Sequence, residues 1–106
     1  MSESVLSIAH RGASGITPEN TRVAFVKALD LGADMIEFDV QLTRDDVAIV
    51  FHDETLERTT NGSGRVGETD FSTISRLDAG SWFGASFADH EVPTLEEVLG
   101  LLAGRA

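Results

Sequence analysis

Between Met35 and Leu42 the chain alternates without a break, with Ile36, Phe38, Val40 and Leu42 on one side of an extended backbone and Glu37, Asp39 and Gln41 on the other. A period of two has no helical counterpart. The segment is therefore expected to be a strand with one apolar and one acidic face. Thr43-Arg44-Asp45-Asp46 supplies turn residues, and Val47 to His52 reads as a second strand, so the two should close as an antiparallel hairpin. Pairing Leu42 with Val47 sets Val40 against Ile49, Phe38 against Phe51 and Glu37 against His52. In that register Glu37, Asp39 and His52 converge.

The elements on either side make this an α/β chain. Val5 to Ala9 is apolar and partly β-branched, a strand that delivers His10 to the glycine-bearing loop His10-Arg11-Gly12-Ala13-Ser14-Gly15. Thr17-Pro18-Glu19-Asn20 then offers a capping hydroxyl, a first-turn proline and an acid, and Val23, Phe25, Val26 and Leu29 recur at helical spacing. A helix is expected from Pro18 to Leu31, ended by Gly32 in the left-handed conformation. From Asp53 to about Glu91 the composition turns to Thr, Gly, Ser and Asp with scattered apolar anchors, among them Phe71, Ile74 and Leu77. This reads as an ordered insertion with a short helix near Ser72. After Pro93, Thr94 and Glu97 have capping-box spacing ahead of the stripe Leu95, Val98, Leu99 and Leu102, which predicts a closing helix.

A length of 106 residues with 42% hydrophobic content suits one folding unit or a piece of one. No apolar run approaches the roughly 20 residues that cross a bilayer. Met1-Ser2-Glu3-Ser4-Val5 has neither the basic nor the apolar part of a secretory signal, and cysteine is absent, so a cytoplasmic location is expected. A net charge of −10 disfavours nucleic acid and anionic lipid as partners, since either polyanion would be repelled. The same charge suits a cation-binding protein, although acidic surfaces also serve solubility alone.

Two features carry chemistry. Arg11 sets a permanent charge, with a fork that matches phosphate oxygens, beside the proton-exchanging His10, in a loop opened to close approach by Gly12. The alternatives are a structural histidine and an ordinary surface ion pair. Glu37 and Asp39, two apart on a strand, repel each other unless a cation or basic group lies between them. Their hard oxygens favour Mg²⁺ or Ca²⁺, with Mn²⁺ and Zn²⁺ left open, and a simply wetted acidic face is the competing interpretation. In an α/β chain, where both faces of a strand are usually covered, acids at a strand end favour function.

Taken in order, His10-Arg11-Gly12, Pro18-Glu19-Asn20-Thr21, Glu37-Phe38-Asp39-Val40, Thr43 and His52-Asp53 resemble the signature of glycerophosphodiester phosphodiesterases. The likeness continues through Leu56-Glu57-Arg58-Thr59-Thr60, Leu77-Asp78-Ala79-Gly80 and Pro93-Thr94-Leu95-Glu96-Glu97-Val98 and covers nearly the whole chain. One departure is Asp46, where the family commonly has glycine in the hairpin turn. The resemblance implies the first two strand–helix units of a TIM-type (β/α)8 barrel, with the hairpin and the family's insertion and with the barrel incomplete. It further implies hydrolysis of glycerophosphodiesters to an alcohol and sn-glycerol 3-phosphate, with a divalent metal. Residue by residue, His10 and His52 would be the acid–base pair, Glu37 and Asp39 metal ligands, and Arg11 a phosphate contact.

A complete barrel of this kind takes about 250 residues. In the family a third metal-binding acid and a lysine lie on the next strand, beyond the helix around Leu95 to Leu102. The chain by itself is thus expected to bind metal weakly, to turn over little or nothing, and to self-associate through unpaired strand edges or remain partly ordered. Two other functions stay open. One is a related activity on lysophospholipids or sphingomyelin; the other is a non-catalytic metal-binding or assembly module.

Overall fold

The computed structural model describes residues 8–103. Strand β1 (Ile8–His10) leads through a loop to helix α1 (Arg22–Asp30), and β2 (Met35–Glu37) returns parallel to β1 with Ile8 beside Met35, Ala9 beside Ile36 and His10 beside Glu37. This is a strand–helix–strand unit whose two parallel strands end on His10 and Glu37. Of the expected first strand, Val5 to Ser7 lie outside the described residues. Strands β3 (Val40–Leu42) and β4 (Ala48–Val50) pair antiparallel as a separate sheet. Helix α2 (Phe71–Ile74) lies in the insertion, and α3 (Leu95–Ala103) follows it. Among the described residues the two sheets do not join into a barrel.

Helix α1 begins at Arg22, not at Pro18. Asn20 has φ +56°, which no helix interior allows, and the Thr21 hydroxyl caps the helix by accepting from the Ala24 N–H at 3.3 Å. The Thr17 hydroxyl, expected to cap, instead donates to the Ala13 carbonyl at 2.7 Å. The other end follows expectation. Gly32, at φ +79°, donates to Leu29 O while Ala33 donates to Ala28 O, the paired bonds of a Schellman motif.

The hairpin differs from the expected one in two ways. The run from Met35 to Leu42 is two strands, because the chain leaves its parallel partner after Glu37 and takes an antiparallel partner from Val40. The register also slips by one residue, with Val40 opposite Val50, Gln41 opposite Ile49 and Leu42 opposite Ala48. The turn explains the slip. Thr43 N donates to Val47 O and Asp46 N to Thr43 O, with Asp46 at φ +63°, so the loop holds three residues and ends in the left-handed conformation. The expected opposition of Glu37 and His52 is therefore lost, since a one-residue slip moves every side chain to the other face. Val40 and Leu42, expected inside, are 46% and 55% exposed, while Gln41 turns in to donate to the carbonyls of Phe51 and Asp53 at 3.0 and 2.6 Å.

Strand β4 divides the interior. Ile49 faces a core formed with Phe51, Leu56, Val66, Ile74, Ala79 and Val92, so the insertion is ordered as expected. Val50 points the other way, onto Phe25 of α1 and Val98 of α3, with Ile36 and Phe38 packed alongside. Phe25 and Phe38 meet edge to face, with ring centroids 5.8 Å apart. Helix α3 carries the expected capping box, Thr94 N to Glu97 Oε1 at 2.9 Å and Glu97 N to Thr94 Oγ1 at 3.1 Å. No helix of the described residues is long and apolar enough to cross a membrane.

Candidate active site

The parallel register alone brings His10 and Glu37 together, with Nε2 of the imidazole 3.2 Å from Oε1 of the carboxylate. Arg11 follows in the left-handed region at φ +58°, a conformation that stores strain in a non-glycine residue and reverses the chain at the strand end. Its N–H donates to the Glu37 carbonyl at 2.7 Å and lies 3.2 Å from Glu37 Oε1. Gly12 must be glycine. Its φ is +80°, and a Cβ there would come within 2.8 Å of Ala24 on α1.

This turn aims the Arg11 guanidinium at carboxylates. Its Nε lies 3.5 Å from Asp39 Oδ2, and its Nη1 lies 3.4 Å from Glu19 Oε2. Asn20, almost fully buried, adds a bond from Nδ2 to Asp39 Oδ2 at 3.2 Å. Arg11 Nε and Asn20 Oδ1 are buried without a hydrogen-bond partner. Asp39 lies at the break between β2 and β3, and the backbone bond from Phe51 N to its carbonyl ties that break to the end of β4.

His52 stands at the far end of a second arm. Its Nδ1 lies 2.7 Å from Asp53 Oδ1, and Arg58 grips both oxygens of Asp53, from Nε at 2.8 Å and from Nη2 at 2.9 Å. The same guanidinium grips Glu19, from Nη2 at 2.9 Å and from Nη1 at 3.2 Å. Arg58 first, and His52 after it, hold the Asp53 carboxyl down to about 2, so it remains an acceptor at any ordinary pH. The two carboxylates in turn push the Arg58 guanidinium further up, Asp53 most.

Of the residues expected from sequence, the fold thus gathers His10, Arg11, Glu37 and Asp39 directly. His52 joins them through Asp53, Arg58, Glu19 and Arg11, not by facing Glu37 across a hairpin. Glu19, Asn20 and Arg58 stood in the quoted motifs without roles. Their signal was charge in a recognisable run, but the bond from Arg58 to Glu19 spans 39 residues, which no local pattern encodes. Two carboxylates with hard oxygens facing one loop suit a divalent cation as a partial ligand set. Among the described residues Glu37 Oε2 and Asp39 Oδ1 carry no hydrogen bond, whereas no three acidic or histidine side chains gather closely enough to hold an ion.

Comparison with known proteins follows the same residues. The model of the glycerophosphoryl diester phosphodiesterase family matches residues 10–105. A glycerophosphodiester phosphodiesterase of Caldanaerobacter subterraneus is 53% identical over 100 residues, covering 94% of this chain and 41% of that protein. One of Bacillus subtilis is 48% identical over 103 residues, covering 90% of this chain and 35% of that protein. Among solved structures, the Agrobacterium tumefaciens glycerophosphodiester phosphodiesterase superposes with a TM-score of 0.94 at 50% identity, over 97% of this chain and 45% of that one. An Oleispira antarctica phosphodiesterase, solved in complex with the product sn-glycerol-3-phosphate, gives 0.92 at 39% identity, over 95% and 41%. The chain spans about two fifths of the length of the relatives it matches.

Proposed function

The chain belongs to the glycerophosphoryl diester phosphodiesterase family, and from that premise we propose that it supplies the acid–base and phosphate-binding residues for hydrolysis of glycerophosphodiesters to an alcohol and sn-glycerol 3-phosphate. Its fold is part of the (β/α)8 barrel of these relatives, left open among the described residues. The observation that carries the reading is the pairing of His10 with Glu37 at the C-terminal ends of two parallel strands, the end at which barrels of this type place their chemistry.

Arg11 offers phosphate oxygens a charge already held in place by Glu19 and Asp39, so little reorganisation accompanies the reaction. Of the two imidazoles, one takes the proton from the attacking oxygen as it bonds to phosphorus. The other gives a proton to the alcohol oxygen as its bond to phosphorus breaks. His52 presents Nε2 for this, because the ionised Asp53 occupies Nδ1. Glu37 and Asp39 would hold a divalent cation, with Mg²⁺ or Ca²⁺ best suited to their oxygens. Bound there, it would polarise the phosphoryl oxygens. A cytoplasmic setting belongs to the same reading.

A second reading, a non-catalytic cation-binding or assembly module, is favoured by the two open sheets and by the lack of a third ligand among the described residues. An assay on glycerophosphocholine with Mg²⁺ or Ca²⁺ separates the two. Metal-dependent release of sn-glycerol 3-phosphate that His10→Ala abolishes supports the enzyme. Cation binding without release supports the module, and cleavage of lysophospholipid or sphingomyelin without hydrolysis of glycerophosphocholine points to the related lipid activity.

A further inference from the structure

Arg58 lies outside the substrate-facing set, yet one guanidinium holds two carboxylates, and each of these leans on a different member of that set. Asp53 Oδ1 reaches His52 Nδ1 at 2.7 Å, and Glu19 reaches Arg11 Nη1 at 3.4 and 3.5 Å. Both grips are forks, with Nε and Nη2 on Asp53 and Nη1 and Nη2 on Glu19. A planar guanidinium gripped on two edges can rotate toward neither carboxylate without losing bonds to the other. Trp82 lies over it at 6.0 Å, and this ring is itself fixed by donation from its indole N–H to the Ala79 carbonyl at 2.9 Å.

We infer that Arg58 is a positioning residue, which orients His52 through Asp53 and Arg11 through Glu19; the inference rests on the reading of His52 and Arg11 as members of the site. The chemistry of the first arm is directional. A carboxylate gripped on both oxygens by an arginine accepts and does not donate, so the imidazole nitrogen that meets it carries the hydrogen and the other nitrogen keeps its lone pair. The second arm sets charge. Glu19, with its side chain 10% exposed, is shared between two arginines, and without Arg58 its remaining cation is Arg11, which it would draw from Asp39.

The arrangement is tested on the full chain labelled with ¹⁵N-histidine, by long-range proton–nitrogen correlation that reads which ring nitrogen of His52 bears the hydrogen. With three histidines in the chain, His52→Gln assigns the signal. The wild type is expected to show the Nδ1–H form of neutral His52 as dominant, Arg58→Gln to lose that dominance, and Glu19→Gln to retain it, because the fork on Asp53 survives. Wild-type tautomer populations in a folded Arg58→Gln chain, judged by native methyl signals of Ile74 and Val66, would overturn the inference, as would an equal loss in Glu19→Gln. Should Arg58→Gln fail to fold, Arg58→Lys keeps the charge without the planar fork. A lowered Nδ1–H population then supports the inference and an unchanged one overturns it. A tautomer is read without turnover, so failure here and absence of diesterase activity are separate results.

Discussion

Leu56, Val66 and Ile74 of the insertion are exposed by 1% or less against Ile49 and Phe51, whereas the β1–β2 pair, which ends on the candidate site, leaves Ile8 59% and Met35 51% exposed. The two regions are held by different forces. In the insertion the chain encloses its own apolar side chains, and in the strand pair a network of charged side chains fixes the loop that bears Arg11. Burial gives a region stability, and a charge network gives it orientation. The comparison suggests that the insertion is a stable platform from which Asp53 and Arg58 steer groups on the open sheet.

The sharpest way to break this comparison is to remove apolar atoms from each side of it. Leu56→Ala or Ile74→Ala should lower unfolding free energy by about 2–5 kcal/mol, while Met35→Ala should stay within about 0.5 kcal/mol of wild type. Urea denaturation measures both. Equal losses would mean that the strand pair is as enclosed as the insertion.

Acid should act on the network and spare the core. Asp53 is held at about 2 against an ordinary value of 3.8, so its stabilising contribution is fully present above the ordinary value and is lost as pH falls through about 2. Asp53→Asn is therefore expected to cost about 1–2 kcal/mol near neutral pH, the range for a charge-assisted bond discounted for its exposed arginine. That gap should close between pH 4 and 2 in urea midpoints measured at each pH. A gap independent of pH would place the effect in packing.

Smaller effects sharpen the picture at element ends. Thr94→Ala removes half of the α3 capping box and should cost about 1 kcal/mol. Asp46→Gly relieves a side chain held at φ +63°, partly offset by the entropy glycine loses on folding, so a gain under about 1 kcal/mol is expected in thermal denaturation. A loss would mean that the Asp46 side chain supports the turn.

Much of this was legible in the sequence, for identifiable reasons. The capping box at Thr94 and the end of α1 at Gly32 follow from local chemistry, whereas the pairing of His10 with Glu37 came only with the parallel register of β1 and β2. Two of the misreadings each turned on one residue's backbone dihedral. Asp46 in the left-handed region shortens the turn and slips the hairpin register, and Asn20 at φ +56° delays α1 to Arg22, with Thr21 as its cap. An alternation from Ile36 to Leu42 also concealed a change of partner, because the pattern records which way side chains point along one strand and not which strand lies beside it. The link from His52 to Arg11 was invisible for a related reason: it runs through residues far apart in sequence, and charge alone does not reveal its partner.

The most direct measurement is a titration of sn-glycerol 3-phosphate into the ¹⁵N-labelled chain with Mg²⁺ present, followed residue by residue. The expected result is a set of shift changes centred on His10, Arg11, Glu37, Asp39 and His52, lost in Arg11→Ala while the signals of Leu56, Val66 and Ile74 stay in place. Changes centred elsewhere, or changes that persist unaltered in Arg11→Ala, would contradict a phosphodiester site at the ends of β1 and β2.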